Sequence, residues 1–253
     1  MPATPATAIV REPGENLAAG ITTADLGLPD PDRALTQHRA YCDALRAAGL
    51  GVVVLPADPR HPDGCFVEDT AVILDEVAVI TRPGDPSRRG EVEAVAEVLA
   101  GYRPLARLRS PGRLDGGDVL RCGDHLHIGR SARTDAEGAG QLAEIAAARG
   151  YTTSEVPVDG ELHLKTGVTG LGDGRLVATA GAATRFPSSE VVVVSEEETY
   201  AANCLRLHDR VLIPDGCPRV RVRLVELGYQ VVALEMSEFR KMDGGLTCLS
   251  LLC

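Results

Sequence analysis

The sequence lacks long apolar runs and an excess of positive charge. Its longest apolar runs, such as Val191 to Val194, have the length of a strand, whereas a membrane-spanning helix needs about 18 apolar residues. The stretch up to Gly14 has no basic region followed by an apolar one, so we expect no secretory signal and a cytoplasmic location. Acidic residues outnumber basic ones by 36 to 26, which argues against binding to nucleic acid. We expect neither a membrane nor a nucleic acid as partner.

The sequence also lacks the residue spacings of common metal and disulfide sites. Its seven cysteines include no C-x-x-C pair, and its six histidines show no H-x-x-x-H spacing. Without a secretory signal, such cysteines are expected to be reduced thiols, most of them buried as small apolar side chains. His125 and His127 share one face of a predicted strand, but no third ligand accompanies them. We therefore predict no metal and no cofactor.

Five segments combine apolar positions with acids, amides, glycine or cysteine. They begin at residues 66, 114, 162, 201 and 244, so the steps between them are 48, 48, 39 and 43 residues. A supersecondary unit repeated at such intervals is typical of a propeller or barrel-like array. If the units pack around an axis, these segments line a central channel, because buried charges are costly unless they are paired or bound to a ligand. The alternative is that the acids lie in water at strand ends.

Helices and outer strands are predicted between these five segments. Asp30 with Pro31, and Asp85 with Pro86, have the form of a helix N-cap followed by proline at the first helical position, while Thr134 with Glu137 forms a capping box. The predicted helices cover residues 31–48, 91–100, 134–150 and 218–227. Strand–strand–helix–strand units repeated about five times predict an α/β fold, a propeller in a single domain covering residues 1–253.

Seven motifs in series resemble those of the dimethylarginine dimethylaminohydrolase family. They lie at residues 66–69, 80–89, 114–118, 129–134, 162–166, 201–204 and 243–248. This family belongs to the pentein, or guanidine-modifying, superfamily, whose fold is a five-bladed α/β propeller. The resemblance runs from about Gly20 to the C-terminus. It implies hydrolysis of Nω-methylated arginine to citrulline and dimethylamine or methylamine, without a cofactor.

Three residues are candidates for the catalytic groups. Attack on a protonated guanidinium needs a strong nucleophile, which a cysteine thiolate supplies, and the resemblance places Cys248 in that role. It implies that His163 is the general acid and base, and that Asp115 accepts a hydrogen bond from His163. The alternatives are that His163 is a hydrogen-bonded core histidine, and that Asp115 forms a turn into the two glycines that follow it.

Five charged residues are candidates for holding the substrate. Carboxylates match the planar guanidinium fork, and the resemblance implies this role for Glu68 and Asp69. Consecutive residues on a strand point to opposite faces, so both could reach one ligand only if the backbone bends there. The resemblance further implies that Asp63 binds the α-ammonium group and that Arg88 and Arg133 bind the α-carboxylate.

The resemblance also implies a lid and supporting residues. Residues 16–28 resemble the flexible lid of the family, and the alternative is an ordinary surface loop. Leu17 and Met242 would contribute backbone carbonyl groups to the α-ammonium, and Asp243 would support the nucleophile loop. Zinc could inhibit such an enzyme by binding Cys248 and His163 without being required.

Two other functions fit the same residues. An arginine or agmatine deiminase of this superfamily uses the same cysteine, histidine and carboxylate, although arginine deiminases usually carry an additional helical domain. A non-catalytic pentein-like binding protein is the other possibility, and the presence of Cys248, His163 and Asp115 together argues against it. The expected partner is a small methylated arginine, and the chain is expected to be a monomer or a homodimer.

Overall fold

The fold is built from short strands, which the computed structural model describes over residues 5–172 and 174–253. The strands are β1 Thr7–Arg11, β2 Gly51–Leu55, β3 Ala71–Ile73, β4 Ala78–Ile80, β5 Leu105–Arg107, β6 Val119–Cys122, β7 His125–Arg130, β8 Thr152–Pro157, β9 Val168–Gly172, β10 Arg175–Ala178, β11 Glu190–Val193, β12 Leu205–Leu207, β13 Arg210–Pro214, β14 Gln230–Leu234 and β15 Leu251–Leu252. Most have the three to six residues expected of strands in a small blade.

Helices and short 3₁₀ turns connect these strands. The α-helices are α1 Pro31–Ala47, α2 Val92–Leu99, α3 Ala136–Ala147, α4 Leu164–Gly167, α5 Ala180–Ala183, α6 Pro218–Glu226 and α7 Ser237–Arg240. The 3₁₀ turns are Leu17–Ala19, Val67–Thr70, Pro86–Arg88, Gly116–Asp118, Glu196–Ala202 and Thr247–Leu249. No helix in the described part of the chain is long and apolar enough to cross a membrane.

Within residues 5–172 and 174–253 the strands form five three-stranded sheets, which are the blades of the predicted propeller. In each of four blades an inner strand pairs antiparallel with the middle strand, and a helical connection brings the third strand parallel to it, as in β3, β4 and β5. The fifth blade joins the two ends of the chain, because β15 pairs antiparallel with β1, and β1 pairs parallel with β2. The predicted repeat of strand, strand, helix and strand is confirmed.

The five polar segments differ from their prediction as continuous strands. Each begins with a helical turn, and only its second half is the inner strand of a blade, as in Val67–Thr70 followed by β3. At the axis these turns pack backbone to backbone: a Cβ on Gly116 would lie 2.0 Å from the carbonyl oxygen of Glu68. A helical turn points successive side chains in different directions around its axis. Neighbouring polar residues therefore face different parts of the channel.

Helix starts were predicted with one informative error. Asp30 caps α1 as predicted, by accepting the backbone N–H groups of Asp32 and Arg33. The capping box at Thr134 and Glu137 was wrong, because α3 begins one residue later and Asp135 is its N-cap. The hydroxyl of Thr134 instead donates a hydrogen bond to Asp118 in the channel. Asp85 caps the short Pro86–Arg88 turn, and α2 follows as a separate helix.

The inner strands surround a channel that a polar layer divides into two cavities. A rear cavity of about 410 Å³ is lined by residues of β3, β6, β9, β12 and β15. A much smaller front cavity of about 30 Å³ lies on the other side and contains Cys248. The apolar core is divided among clusters that lie between the blades and their helices. The extent of one domain over residues 1–253 stays a prediction, because residues 1–4 and 173 lie outside the described residues.

Candidate active site

The front cavity collects most of the residues that were singled out from the sequence. Eight of the eleven line it: Asp63, Asp69, Arg88, Arg133, His163, Met242, Asp243 and Cys248. They come from loops and turns of different blades, so the cavity exists only in the closed ring. The remaining three are Asp115, which lies behind His163, Glu68, which faces the rear cavity, and Leu17, which is fully buried in the core.

His163 and Asp115 form a buried pair. The Nε2 atom of His163 lies 2.9 Å from Oδ2 of Asp115, whose other carboxylate oxygen accepts the backbone N–H of Gly84 at 2.7 Å. Gly117 packs against the imidazole ring, since a Cβ there would lie 2.8 Å from Nδ1 of His163. The residue after Asp115 and Gly116 must therefore be glycine for the ring to occupy this position.

Asp118 supports the turn that carries His163. One of its carboxylate oxygens accepts the backbone N–H of Leu164 at 2.9 Å, and the other accepts the hydroxyls of Ser131 and Thr134, each at 2.6 Å. Thr134 in turn accepts the backbone N–H of Asp115. Asp118 was not among the predicted site residues. The signal in the sequence is that Asp118 is the second acid, after Asp115, in a segment that is otherwise buried.

Asp69 presents its carboxylate to the cavity from the first polar turn. Its Oδ1 accepts the backbone N–H of Gly117 at 2.9 Å and lies 3.9 Å from Nε2 of His163. Its Oδ2 accepts a hydrogen bond from Arg88 at 2.5 Å. Burial alone would raise the pKa of Asp69, but the positive charges of His163 and Arg88 hold it below its ordinary value. Asp69 is therefore ionised and able to accept hydrogen bonds beside Cys248.

The two arginines predicted to bind a carboxylate differ in availability. Arg88 is buried, and its guanidinium donates to Asp69, to Glu91 and to the backbone carbonyl of Phe66. Arg133 also lines the front cavity, and its nearest acidic atom is Oδ2 of Asp85, 3.8 Å from Nη1. The N–H groups of the Arg133 guanidinium are thus available to donate hydrogen bonds to an anionic group of a ligand.

Glu68 belongs to a closed ring of buried hydrogen bonds beneath the nucleophile. Its Oε1 accepts from Nζ of Lys165 at 2.5 Å, and its Oε2 accepts from the hydroxyl of Thr247 at 2.8 Å. Asn203 completes the ring, because its side chain donates to Thr247 and to the backbone carbonyl of Lys165, and accepts the backbone N–H of Thr247. Thr247 immediately precedes Cys248, so the ring fixes the turn that carries the thiol.

Lys165, Thr247 and Asn203 received no role in the sequence analysis, although a signal for one of them was present. Only two lysines occur in the chain, Lys165 and Lys241, and both pair with carboxylates that are almost fully buried. A lone lysine inside a predicted buried segment that also faces buried acids indicates an internal ion pair. Composition alone could not show which acid would be its partner.

The segment predicted as a lid covers the front cavity. The backbone N–H of Ile21 donates to both carboxylate oxygens of Asp63, and that of Thr23 donates to Asp243 at 2.6 Å. The cavity beneath has about the volume of one water molecule, about 30 Å³. A larger ligand therefore needs this segment to move. The carbonyl of Leu17 accepts the backbone N–H of Gly20, so the structure does not bring it into the lining.

The protonation states of His163 and Cys248 are set by burial and by nearby acids. Burial alone would lower the pKa of His163, but the negative charge of Asp69 and the hydrogen bond that His163 donates to Asp115 outweigh it and raise the pKa to about 9. Burial raises the pKa of the Cys248 thiol, and the negative charges of Glu68 and Asp69 raise it further. At neutral pH the site therefore contains an imidazolium and a neutral thiol. The backbone N–H of Gly245, 3.4 Å from Sγ, is the one hydrogen bond described at the sulfur.

One group of residues has the geometry of a possible metal site. Ligand atoms of Asp69, Asp115 and His163 all lie within 4.8 Å of one another. Each of these residues already has a hydrogen-bond partner, and His163 is cationic at neutral pH, whereas a metal ligand must be neutral imidazole. That no metal is required stays a prediction.

Comparison with known proteins decides the family. No family model matches the chain. It is 42% identical over 247 residues to the N(G),N(G)-dimethylarginine dimethylaminohydrolase of Pseudomonas aeruginosa, covering 96% of this chain and 97% of that protein. It is 39% identical to the protein of the same name from Streptomyces coelicolor, over 96% of this chain and 95% of the relative. The chain belongs to the dimethylarginine dimethylaminohydrolase family.

Solved structures agree with this family membership. A structure of the Pseudomonas aeruginosa enzyme in complex with citrulline has a TM-score of 0.97 and 40% identity, covering 99% of this chain and all of that one. The N-terminal domain of a cyanobacterial arginine dihydrolase has a TM-score of 0.86 at 19% identity, over 97% of each chain, which shows a shared fold. The predicted resemblance to the family, with its five-bladed pentein propeller, is confirmed.

The effect of Glu68 on the nucleophile can be measured as thiol reactivity. Because Glu68 raises the pKa of Cys248, Glu68→Gln is expected to increase the fraction of thiolate at neutral pH. A fall of one pKa unit gives about tenfold faster alkylation by iodoacetamide. Mass spectrometry of the peptide that contains Cys248 measures the rate.

Glu198→Gln is the matched control, because Glu198 is a buried glutamate that caps α6 instead of facing the cavity. Equal acceleration in both variants would point to general loosening of the fold. An unchanged rate in Glu68→Gln would contradict the electrostatic role of Glu68.

Proposed function

We propose that this protein hydrolyses Nω-methylated L-arginine to L-citrulline and an alkylamine. The observation that carries the proposal is one cavity in which a cysteine, a carboxylate-bound histidine and an ionised aspartate lie together. Its relatives are named for this activity, and one related structure contains citrulline. A cationic substrate also fits a cavity whose thiol is held neutral by surrounding negative charge.

The first half of the proposed reaction uses the charge of the substrate. The guanidinium binds beside Asp69, and its positive charge lowers the pKa of the adjacent Cys248, so that the thiol releases its proton to solvent water and the thiolate attacks the guanidinium carbon. The imidazolium of His163 donates its proton to the departing nitrogen as the bond between carbon and that nitrogen breaks. A covalent thiouronium intermediate remains on Cys248.

The second half of the proposed reaction releases the product. His163, now neutral, takes a proton from water while the water oxygen bonds to the guanidinium carbon, and the bond between carbon and sulfur then breaks. Citrulline leaves, and the imidazolium is restored. Asp115 holds the ring in place and stabilises its charged form in both halves. The balance is one water consumed and one amine released, with no oxidant or cofactor involved.

The amino-acid end of the substrate is proposed to bind under the lid. Its α-ammonium group replaces the backbone N–H of Ile21 on Asp63, with the carbonyl of Met242 as a further acceptor. The carbonyl of Leu17, which accepts from Gly20 here, would become an acceptor for the ligand only when the lid moves. Arg133 binds the α-carboxylate. Arg88 donates a hydrogen bond to Asp69 in this structure. When the guanidinium of the substrate takes over Asp69, Arg88 is free to bind the α-carboxylate together with Arg133. Asp243 holds the closed lid through Thr23.

The test is product formation from a panel of substrates. Purified protein is incubated separately with asymmetric dimethylarginine, monomethylarginine, arginine and agmatine, and citrulline or carbamoylputrescine is quantified. We expect citrulline from the two methylated arginines, unaffected by a chelator and lost in Cys248→Ser. Turnover of arginine or agmatine alone would make the protein a deiminase, and no turnover in any sample would leave a binding protein.

The protonated state of His163 predicts how the activity depends on pH. Because its pKa is raised to about 9, the imidazolium is present below that pH and is lost as pH rises through it, so kcat/KM is expected to fall there. Asp115→Asn removes the charge and hydrogen bond that raise this pKa, so the fall should move toward neutral pH. Initial rates across neutral and alkaline pH measure both profiles, and an alkaline limb that Asp115→Asn leaves unmoved would contradict the assignment.

The hydrogen-bonded ring at Glu68 predicts a role for a hydroxyl beside the nucleophile. Thr247→Val removes the hydroxyl that donates to Glu68 and accepts from Asn203, with almost no change in volume. We expect kcat to fall about 10- to 100-fold with KM nearly unchanged, because small displacements of reacting groups cost this much. Thr247→Ser keeps the hydroxyl and should retain most of the activity. Equal losses in the two variants would show that the hydroxyl is not the specific cause and would contradict its role.

A further inference from the structure

A third cavity, which we name the side cavity, adjoins the nucleophile and has no part in the mechanism above. Its volume is about 380 Å³, against about 30 Å³ for the front cavity. The two cavities share Leu162, Asp243 and Cys248 in their linings, so they meet at the thiol. An alkyl group on a guanidinium nitrogen that faces this side of the thiol would have the side cavity available to it.

The charged groups of its wall already have partners. Glu161 pairs with Arg185 at 2.7 Å, and Asp243 accepts the hydrogen bonds of the lid. The guanidinium of Arg240 stacks over the ring of Tyr200, 4.9 Å from its centroid. Tyr200 donates its hydroxyl hydrogen to the backbone carbonyl of Gly244. Polar groups engaged in this way do not select for a charged ligand.

The remaining wall suits an uncharged alkyl group. It is uncharged, and it combines apolar side chains of the lid and of the loop before His163, such as Ala24, Leu26 and Leu162, with Asn203 and four threonines that include Thr199. Leu26 is about half exposed, at 52%, so an alkyl group there would cover apolar surface that now faces water. Two methyl groups would occupy only a small part of this space.

We infer that the enzyme also hydrolyses Nω-alkyl arginines whose substituent is longer than methyl, with the alkyl chain lying in the side cavity. This inference rests on the proposed function and extends its substrate class. The chemistry is unchanged: the bond from the guanidinium carbon to the alkylated nitrogen breaks, His163 supplies the proton, and water supplies the oxygen of citrulline. Ethyl-, propyl- or butylamine leaves in place of methylamine.

The experiment compares Nω-methyl-, ethyl-, propyl- and butyl-L-arginine as substrates, with citrulline as the readout. One methylene in a tight pocket changes specificity by about 10-fold or more, so a site built for methyl alone would reject propyl strongly. We expect kcat/KM for the propyl compound to stay within about tenfold of that for the methyl compound. A greater loss would overturn the inference while leaving methylarginine hydrolysis intact.

Variants that fill the side cavity complete the test. Thr199→Trp and, separately, Ala24→Trp place an indole in its wall, whereas Thr184→Trp makes the matched change at an exposed residue outside this lining. In the first two, kcat/KM for the propyl compound should fall at least about tenfold more than for the methyl compound, because overpacking excludes the longer chain. Equal losses on both substrates would overturn the inference. If the protein without any substitution does not turn over methylarginine, the proposed function itself is overturned.

Discussion

The architecture depends on the cost of burying charge at the axis of the propeller. Glu68, Asp69, Asp115, Asp118 and His163 are each less than a tenth exposed, and buried ions are tolerated only when paired and hydrogen-bonded. Each acid among them has a specific partner: a lysine, an arginine, a histidine, a hydroxyl or a backbone N–H. The partners come from different blades, so satisfying the charges also fixes how the blades fit together. The same ion pairs and hydrogen bonds therefore hold the residues of the candidate site in position and hold the blades together.

This network divides the channel into regions of different charge. In front, the positive charges of Arg88 and His163 are paired with the carboxylates of Asp69, Glu91 and Asp115, and the thiol is held in its neutral form. Behind it, Glu68 and Lys165 form an ion pair between the cavities. A cation that enters in front adds the one charge that the site lacks. In the proposed mechanism, such a site reacts slowly with general electrophiles and faster when a guanidinium is bound.

Much of the fold could be predicted because its signals are local. The repeat spacing and the cap at Asp30 depend on neighbouring residues, and both were correct. The residues of the candidate site were found through the resemblance of motifs, and the structure brings eight of them into one cavity. The motifs could not show that Arg88 is already bonded to Asp69 and Glu91, because that depends on contacts across the fold.

The errors also have physical causes. Thr134 was assigned to a helix cap because its local sequence fits one, but its hydroxyl is needed by Asp118, and Asp135 takes over the cap. Glu68 and Asp69 were expected to require a bent strand to reach one ligand. A helical turn sends them to different cavities instead, so that Asp69 faces the thiol and Glu68 the ion pair behind it. Long-range hydrogen bonds outweigh local preference at these positions.

The pairing of β15 with β1 closes the ring, and it therefore determines when the candidate site can form during synthesis of the chain. Cys248 lies three residues before β15, whereas Asp69, Asp115 and His163 lie in earlier blades. During synthesis those blades emerge first, and the strand that closes the ring emerges last. The carboxylates and the histidine are therefore synthesised before the sulfur. Pairing of β15 with β1 brings Cys248 among them, so a growing chain that lacks β15 does not contain the complete candidate site.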